Sequence, residues 1–409
     1  MDAGGVEIGL TGVGRMIGRA SKLIGPLFCY LKAVFARSMR KRVTTRGSDD
    51  DLVIYSYGGV STLPSGCEPL FLHGERESFD LSWDWFRLMS SSALPAGVRP
   101  IFYVLEKSGK ICGVLPLLLQ KGAGVSQVQS MTSFYSSIYR PLLDDGVAAE
   151  ELAVLLRRVL ADTKVNRLRF DAMDPAHASY EKLEKALRLR GLVTFRFFCF
   201  GNHYLHTQGR SYAEYFRERP SKIRNTVHRR EKKFLAEGRG RVEVVTQGTT
   251  MLDEVVRIWK TVYSSSWKVP EPYPDFMPGL IRLCAERGWL RLGVAYYDNL
   301  PVAAQIWIVS QGRAAIYKLA YDEKFAELSA GTLLTSYLMR QVMDVDKVDE
   351  IDYLVGDDAY KKDWMGNRRE RWGIVAFNPW SLDGMLSALT QSLGMLRRKL
   401  VRNLGANLN

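Results

Sequence analysis

Cysteine is scarce and scattered in this chain. There are five, Cys29, Cys67, Cys112, Cys199 and Cys284, and none forms a Cys-x-x-Cys pair. That spacing excludes a disulfide framework and a cysteine zinc site, and it fits a reducing compartment. Histidine is equally thin, at five residues, and only His203 and His206 stand close together. Tyr204 and Leu205 between them read as a strand end rather than one helix face, so no metal site is expected. No apolar run approaches the roughly 18–20 residues of a membrane span. The glycine-bearing stretches GLTGVG and SAGT lack a Walker lysine, and no Ser/His/Asp or Cys/His nucleophile set stands out. Acidic charge is also short, with 44 Asp/Glu against 57 Lys/Arg, for a net charge of +13.

That positive charge is unevenly placed. Residues 1–50 hold nine Lys/Arg against four Asp/Glu, residues 209–241 eleven against four, and residues 381–409 four against one. The rest is close to neutral, so three basic segments are each suited to touch something anionic. Residues 10–39 carry an apolar helical stripe through Val13, Ile17, Ile24 and Leu31, interrupted at Gly25-Pro26. LIGPLFCYL follows three positive charges as the core of a cleaved leader would, but it starts late, is broken by Gly25-Pro26 and runs straight into Lys32, so an amphipathic helix is the expected reading and a leader the alternative. The C-terminal stripe runs Leu382, Leu386, Leu389, Leu393, Leu396, Leu400, with Arg398, Lys399 and Arg402 opposite. Two basic amphipathic ends predict either contact with an anionic membrane face or packing on the body or on each other.

At 409 residues the chain has room for more than one domain. RGSDDD at 46–51 reads as a linker. Beyond it, LVIYSY is a strand and ESFDLSWDWFRLMSSS a helix. Two strands follow around Lys107–Lys110, then helix, strand, helix, strand to Phe200. Residues 289–377 repeat that order at low resolution: a strand turning at Asp298-Asn299, a strand closing at Gly312, a third strand, a helix opening at Ser329–Thr332, a strand EIDYLVG, a short helix and a last strand. Between the halves lies SYAEYFRERPSKIRNTVHRREKKFLAEG, with a thin apolar stripe of Ile223, Val227 and Phe234 under a strongly basic surface. The expected organisation is an N-terminal basic segment (1–50), a first α/β half (51–208), a basic helical insert (209–241), a second α/β half (242–380) and a C-terminal amphipathic helix (381–409).

Candidate site residues gather in the second half. A helix beginning at Ser329, Ala330, Gly331 and Thr332 beside a strand end offers backbone N–H groups to an anion. Asp352 and Lys318 interrupt apolar strands. Burying either charge is costly, so both are expected to face a cleft, paired with one another, with an edge-strand lysine as the alternative for Lys318. Asp357 and Asp358 follow Gly356 at a strand end, placed equally for a general base or for capping the next helix. Gln305 lies in an otherwise apolar strand. Trp267 and Lys268 open a loop rich in proline and aromatics, suited to one wall of an acceptor site. Lys222, Arg224 and Arg229 in the insert are candidates for binding an anionic substrate, or form a solvated face.

PSKIRNTVHRREKKFLAEG, GWLRLGVAYYDNLPVAAQIWIVSQGRAAIYKLAYDE, SAGTLLTSYLM and IDYLVGDDAYKKDWM together resemble the BioF2-like acetyltransferase domain family (CelD/BcsL-like) of the GNAT superfamily, a distant relative of the Fem aminoacyltransferases. The resemblance spans roughly residues 80–377. It implies tandem GNAT-like halves, with mixed, mostly antiparallel twisted sheets flanked by helices. It implies acyl transfer from acetyl-CoA or another acyl-CoA, without a metal, to a sugar or cell-envelope precursor. The strand at Ala315–Tyr321 would present backbone amides to the donor through Leu319, Ala320 and Tyr321, and Ser329–Thr332 would take the pyrophosphate. Tyr360 matches the tyrosine that protonates the leaving thiolate, and Lys361 matches a lysine kept in the Fem branch. The family's pyrophosphate loop survives only in Gly331, with Ala326 and Ser329 where further loop residues are usual. Two other readings stay open: a Fem-like enzyme using aminoacyl-tRNA, and a non-catalytic scaffold of exopolysaccharide assembly. The expected setting is cytoplasmic, at the inner membrane face.

Overall fold

The computed structural model describes residues 52–122, 125–246 and 252–406, with side chains to residue 394. The helix read over 10–39 and the far end of the C-terminal leucine stripe lie outside those described residues and side chains.

The first half runs β1 (Leu52–Tyr57), α1 (Glu68–Glu77), α2 (Trp83–Ser92), β2 (Val98–Lys107), β3 (Lys110–Gly122), β4 (Val125–Ser130), a two-residue β5 (Leu142–Leu143), α3 (Ala149–Thr163), β6 (Arg167–Met173), α4 (Ala178–Leu189) and β7 (Val193–His206). Two helices follow, α5 (Tyr212–Arg217) and α6 (Ser221–Leu235). The second half then repeats the order: β8 (Gly240–Val245), α7 (Leu252–Ser264), α8 (Phe276–Glu286), β9 (Leu290–Tyr297), β10 (Leu300–Ser310), β11 (Arg313–Tyr321), α9 (Ala330–Arg340), β12 (Glu350–Asp352), α10 (Lys361–Trp364) and β13 (Asn367–Phe377). A long helix, α11 (Leu382–Ala406), closes the chain.

Local chemistry sets the hairpins. Ser108-Gly109, Asp298-Asn299 and Gln311-Gly312 each place two consecutive residues at positive φ. That is the turn whose twist matches the flanking strands. Ser211 caps α5 by accepting from the Glu214 N–H, while Glu214 accepts from the Ser211 N–H at 2.8 Å. On α6, Ile223, Val227 and Phe234 are buried, as the stripe predicts.

All the strands join one sheet in the order β1-β2-β3-β4-β6-β13-β7-β12-β11-β10-β9-β8, with β5 on β3. The two halves exchange their last strands. β13, from the second half, pairs with β6 of the first, and β7, from the first, pairs with β12 of the second. β7 and β13 pair with each other from Val193↔Phe377 to Tyr204↔Asn367, which seals the halves together. Residues 52–409 accordingly form one compact unit. β7 ends at His206, within the expected first half, although it pairs with a strand of the second, and β8 begins at Gly240, inside the segment read as an insert.

Helices cover both faces. One core joins α1, α2, α7 and α8, where Trp85 and Phe276 meet edge to face at 5.5 Å. A second lies under α3 and α4, and a third under α5, α6 and α9.

In each half a parallel pair splays. β4 pairs with β6 only over Gln127–Gln129, and β11 pairs with β12 only over Arg313–Ala315. In the first half the chain fills the opening itself. The Met131 N–H donates to Pro116 C=O at 3.2 Å, the Tyr139 N–H to Ala172 C=O at 3.0 Å, and the Tyr139 hydroxyl to Pro116 C=O at 2.9 Å. In the second half the opening is a cavity.

Candidate active site

The cavity holds about 760 Å³ and starts where β11 parts from β12. One wall is the free edge of β11 past Ala315, including Ile316–Leu319 and Tyr321. The opposite wall is the chain from Tyr353 to Val355, then Asp358, Tyr360 and Lys361. The floor is the start of α9, at Ser329–Thr332. The Leu333 N–H makes the first helical bond, to Ser329 C=O at 3.1 Å, so the N–H groups of Ala330, Gly331 and Thr332 lie ahead of the helical ladder. Ser329 offers no side-chain cap and takes a left-handed conformation at φ 55°. A serine thus adopts the backbone geometry that a glycine-rich loop would otherwise supply, at a cost of about 1 kcal/mol. A Cβ at Gly331 would meet only the Tyr321 ring, at 3.4 Å.

Charged and phenolic groups ring the mouth. Lys318 ion-pairs with Glu271 at 2.9 Å and lies 4.6 Å from the Phe134 ring centroid. The Tyr135 hydroxyl donates to the other Glu271 oxygen at 2.7 Å. Lys361 is buried, donates to Val355 C=O at 2.6 Å and pairs with Asp358 at 3.2 Å. The Lys268 amine has no hydrogen-bond or ion-pair partner among the described residues and lies 5.6 Å from the Trp267 ring centroid. Burial, with Lys318 and then Lys361 beside it, lowers its amine to about 8. Burial and then Asp358 push the Tyr360 phenol up to about 12, so at neutral pH it is a hydrogen-bond donor. Trp267 and Tyr321 rings lie 4.5 Å apart at the same rim.

Sequence expectations meet this geometry unevenly. Lys318, Leu319, Tyr321, Ser329, Ala330, Gly331, Thr332, Tyr360, Lys361, Gln305 and Trp267 all line the cavity. The pairing of Lys318 with Asp352 is corrected. Lys318 is held by Glu271, and Asp352 lies on a different, smaller cleft, ion-paired with Arg369 and accepting from the Leu354 N–H at 2.6 Å. Asp357 also stands apart. Arg368 and then His203 hold its carboxyl well below the usual carboxylate range, so it serves as an ion-pair partner. Ala320 is buried in the core rather than in the cavity wall. Gln305 spends its amide inside the wall, donating to Gly331 C=O and the Thr335 hydroxyl, both at 2.8 Å, and accepting from the Trp307 indole at 2.9 Å. Lys222, Arg224 and Arg229 are exposed on α6, away from the cavity.

The sequence reading did not include Phe134, Tyr135, Glu271 or Tyr353 among the site residues. Phe134 and Tyr135 come from the first half, in the segment that fills that half's own opening. Asp80 fixes their loop, accepting from the Ser137 N–H at 2.6 Å and the Ser137 hydroxyl at 2.8 Å. Among the described residues no group of three or more His, Cys, Asp or Glu is placed to hold a metal ion.

Residues 221–362, which include most of the residues that line the cavity, match the protein family described as acetyltransferase (GNAT) domain. Among solved structures, FemX aligns at 11% identity and a TM-score of 0.51, over 72% of this chain and 91% of FemX. A conserved protein of unknown function from Bacteroides thetaiotaomicron aligns at 9% identity and a TM-score of 0.51, over 80% of this chain and all of that one. Both likenesses are of fold. No curated protein matches the sequence.

Proposed function

We propose that this protein is an acyltransferase that moves an acyl group from acetyl-CoA, or another acyl-CoA, to an amine or hydroxyl of a sugar or cell-envelope precursor. The observation that supports it most is the coincidence of the strand splay, the uncapped α9 N-terminus and an open cavity in one place. A helix start with free N–H groups suits the pyrophosphate of the donor. The unpaired edge of β11 suits an extended pantetheine arm and hydrogen bonds to the thioester oxygen. The acceptor attacks the thioester carbon, the C–S bond breaks, and the acceptor's proton is balanced by the proton taken up by sulfur. Tyr360 stands across the splay as hydrogen-bond donor to that sulfur. The CelD/BcsL-like kinship and a place in exopolysaccharide synthesis belong to the same reading.

Calorimetric titration with acetyl-CoA tests it. Micromolar binding is expected, and no heat at millimolar donor rejects the reading. Tyr360→Phe should lower turnover by roughly 10- to 100-fold with donor affinity nearly unchanged. An unaltered rate would remove the phenol from the chemistry.

The exposed basic face of α6 favours one second reading, an aminoacyl-tRNA donor. Tight tRNA binding that weakens steeply with salt, together with silence toward acetyl-CoA, would carry it.

A membrane setting is supported by Leu382, Leu386 and Leu393, exposed along α11 ahead of Arg397, Arg398 and Lys399. No described helix is long and apolar enough to cross a membrane. Co-flotation of the full chain with vesicles containing anionic lipid is expected, and Leu382→Glu with Leu386→Glu should reduce it. Equal flotation of the double variant would exclude this helix as the contact.

A further inference from the structure

Three lysines line the cavity, and they are not equivalent. Lys318 is tied to Glu271 at 2.9 Å, and Glu271 is tied in turn to Tyr135. Lys361 is tied to Asp358 at 3.2 Å and to two backbone carbonyls, of Val355 and Gly356. Among the described residues the Lys268 amine has neither a carboxylate in ion-pair range nor a hydrogen bond, yet the residue is half-buried in the cavity wall.

Its surroundings explain why it stays alone. Lys318 on β11 and Lys361 at the start of α10 both face it with like charge. Glu271 on its own loop and Asp358 ahead of α10 face it with opposite charge, but each is already engaged by another lysine. Tyr135, Tyr317, Tyr321, Tyr353 and Tyr360 complete the ionisable groups of the cavity wall. An ammonium placed so is under pressure to lose its proton, and its amine falls to about 8 from the usual 10.5. Near pH 7.5 that raises the neutral, nucleophilic fraction by about two orders of magnitude over an ordinary surface lysine.

We infer that Lys268 is a self-acylation site, where an acyl thioester bound in the cavity transfers its acyl group to the enzyme when no acceptor is present. The inference rests on the acyltransferase reading above. The Lys268 amine nitrogen attacks the thioester carbon, an amide N–C bond forms and the C–S bond breaks. The neutral amine gives up one of its two N–H protons, the thiol leaves carrying it, and the product is a neutral amide. The amide is stable, so the modification accumulates rather than relaying the acyl group onward. It removes the one cavity-lining lysine that no carboxylate neutralises, and it narrows the mouth beside Trp267.

The test is incubation of the full chain with acetyl-CoA, without acceptor, between pH 6.5 and 10, followed by peptide mass spectrometry. The expected result is a single acetyl group on Lys268, formed at least tenfold faster than on the exposed Lys232 and Lys233, with a rate midpoint near pH 8. Lys268→Arg should abolish that modification and leave the slow surface reactions unchanged. Binding of acetyl-CoA by calorimetry is measured on the same sample. If the donor binds and Lys268 reacts no faster than Lys232 and Lys233, the self-acylation site is wrong and the acyltransferase reading stands. If the donor does not bind at all, the acyl-CoA reading falls and takes this inference with it.

Discussion

Gly331→Asp is expected to weaken acetyl-CoA binding about 100-fold while leaving the fold at least as stable. The two effects have opposite signs because they act on the same N–H groups. Ala330, Gly331 and Thr332 point the positive end of α9 at the cavity floor, ahead of the first helical hydrogen bond at Leu333. A carboxylate in the first turn of a helix stabilises it by about 0.3–1 kcal/mol. The same carboxylate occupies the donors and repels an incoming pyrophosphate, and a 100-fold loss corresponds to about 2.7 kcal/mol. The backbone tolerates a side chain there, since a Cβ would meet only the Tyr321 ring, at 3.4 Å. Thermal unfolding and calorimetry on the same variant separate the outcomes. A variant that binds donor normally would place the anion site elsewhere, and one that fails to fold would show that the glycine is needed for packing.

Asp80→Ala is expected to destabilise the protein by about 3 kcal/mol and to disturb the Phe134–Tyr135 wall. Asp80 is almost fully buried, and its carboxylate takes the Ser137 N–H, the Ser137 hydroxyl and the Ile138 N–H at 2.6, 2.8 and 3.3 Å. Truncation strands those donors, each at roughly 1–3 kcal/mol, partly offset by relief of a buried charge. That burial pushes the Asp80 carboxyl up to about 6. Its folded-state value therefore lies above the unfolded value of 3.8, and between these limits the folded protein holds the extra proton. Stability from this group is thus present at low pH and falls as pH rises through 6. Asp80→Asn keeps an acceptor for the loop and removes the titration. Relative to that variant, the wild type should gain about 1 kcal/mol between pH 7.5 and 5 in urea unfolding. Parallel pH curves for the two proteins would show that Asp80 is not the buried titrating group.

The second half was the more legible part of the sequence because its signals are local. Asp298-Asn299 and the residues before Gly312 announce two-residue turns, the strands between them are apolar runs, and Ser329–Thr332 marks a helix start. Several other elements carry weaker local signals. β8 is six residues, GRVEVV, directly after a basic helix, and it merged with that helix in the pattern. The strand after α9 is shorter than its apolar run, because Tyr353 and Leu354 leave the ladder to line the splay.

Non-local partners were the larger loss. A charge at Asp352 does require a cation, but that cation is Arg369, brought alongside by the pairing of β7 with both β12 and β13. Nothing near Asp352 in sequence announces that strand exchange. Phe134 and Tyr135 likewise reach the cavity from the other half, through a loop fixed by Asp80. Lys268 was visible as a loop residue, but its isolation depends on Glu271 and Asp358 being occupied by Lys318 and Lys361, which only the folded arrangement shows.

The most direct measurement is a crystal structure of the full chain grown with coenzyme A. The account predicts the pyrophosphate on the N–H groups of Ala330–Thr332 and the pantetheine arm along the free edge of β11 from Ile316 to Tyr321, with the sulfur facing Tyr360. Coenzyme A seated on the basic face of α6 or elsewhere outside this cavity, with the cavity empty, would contradict it.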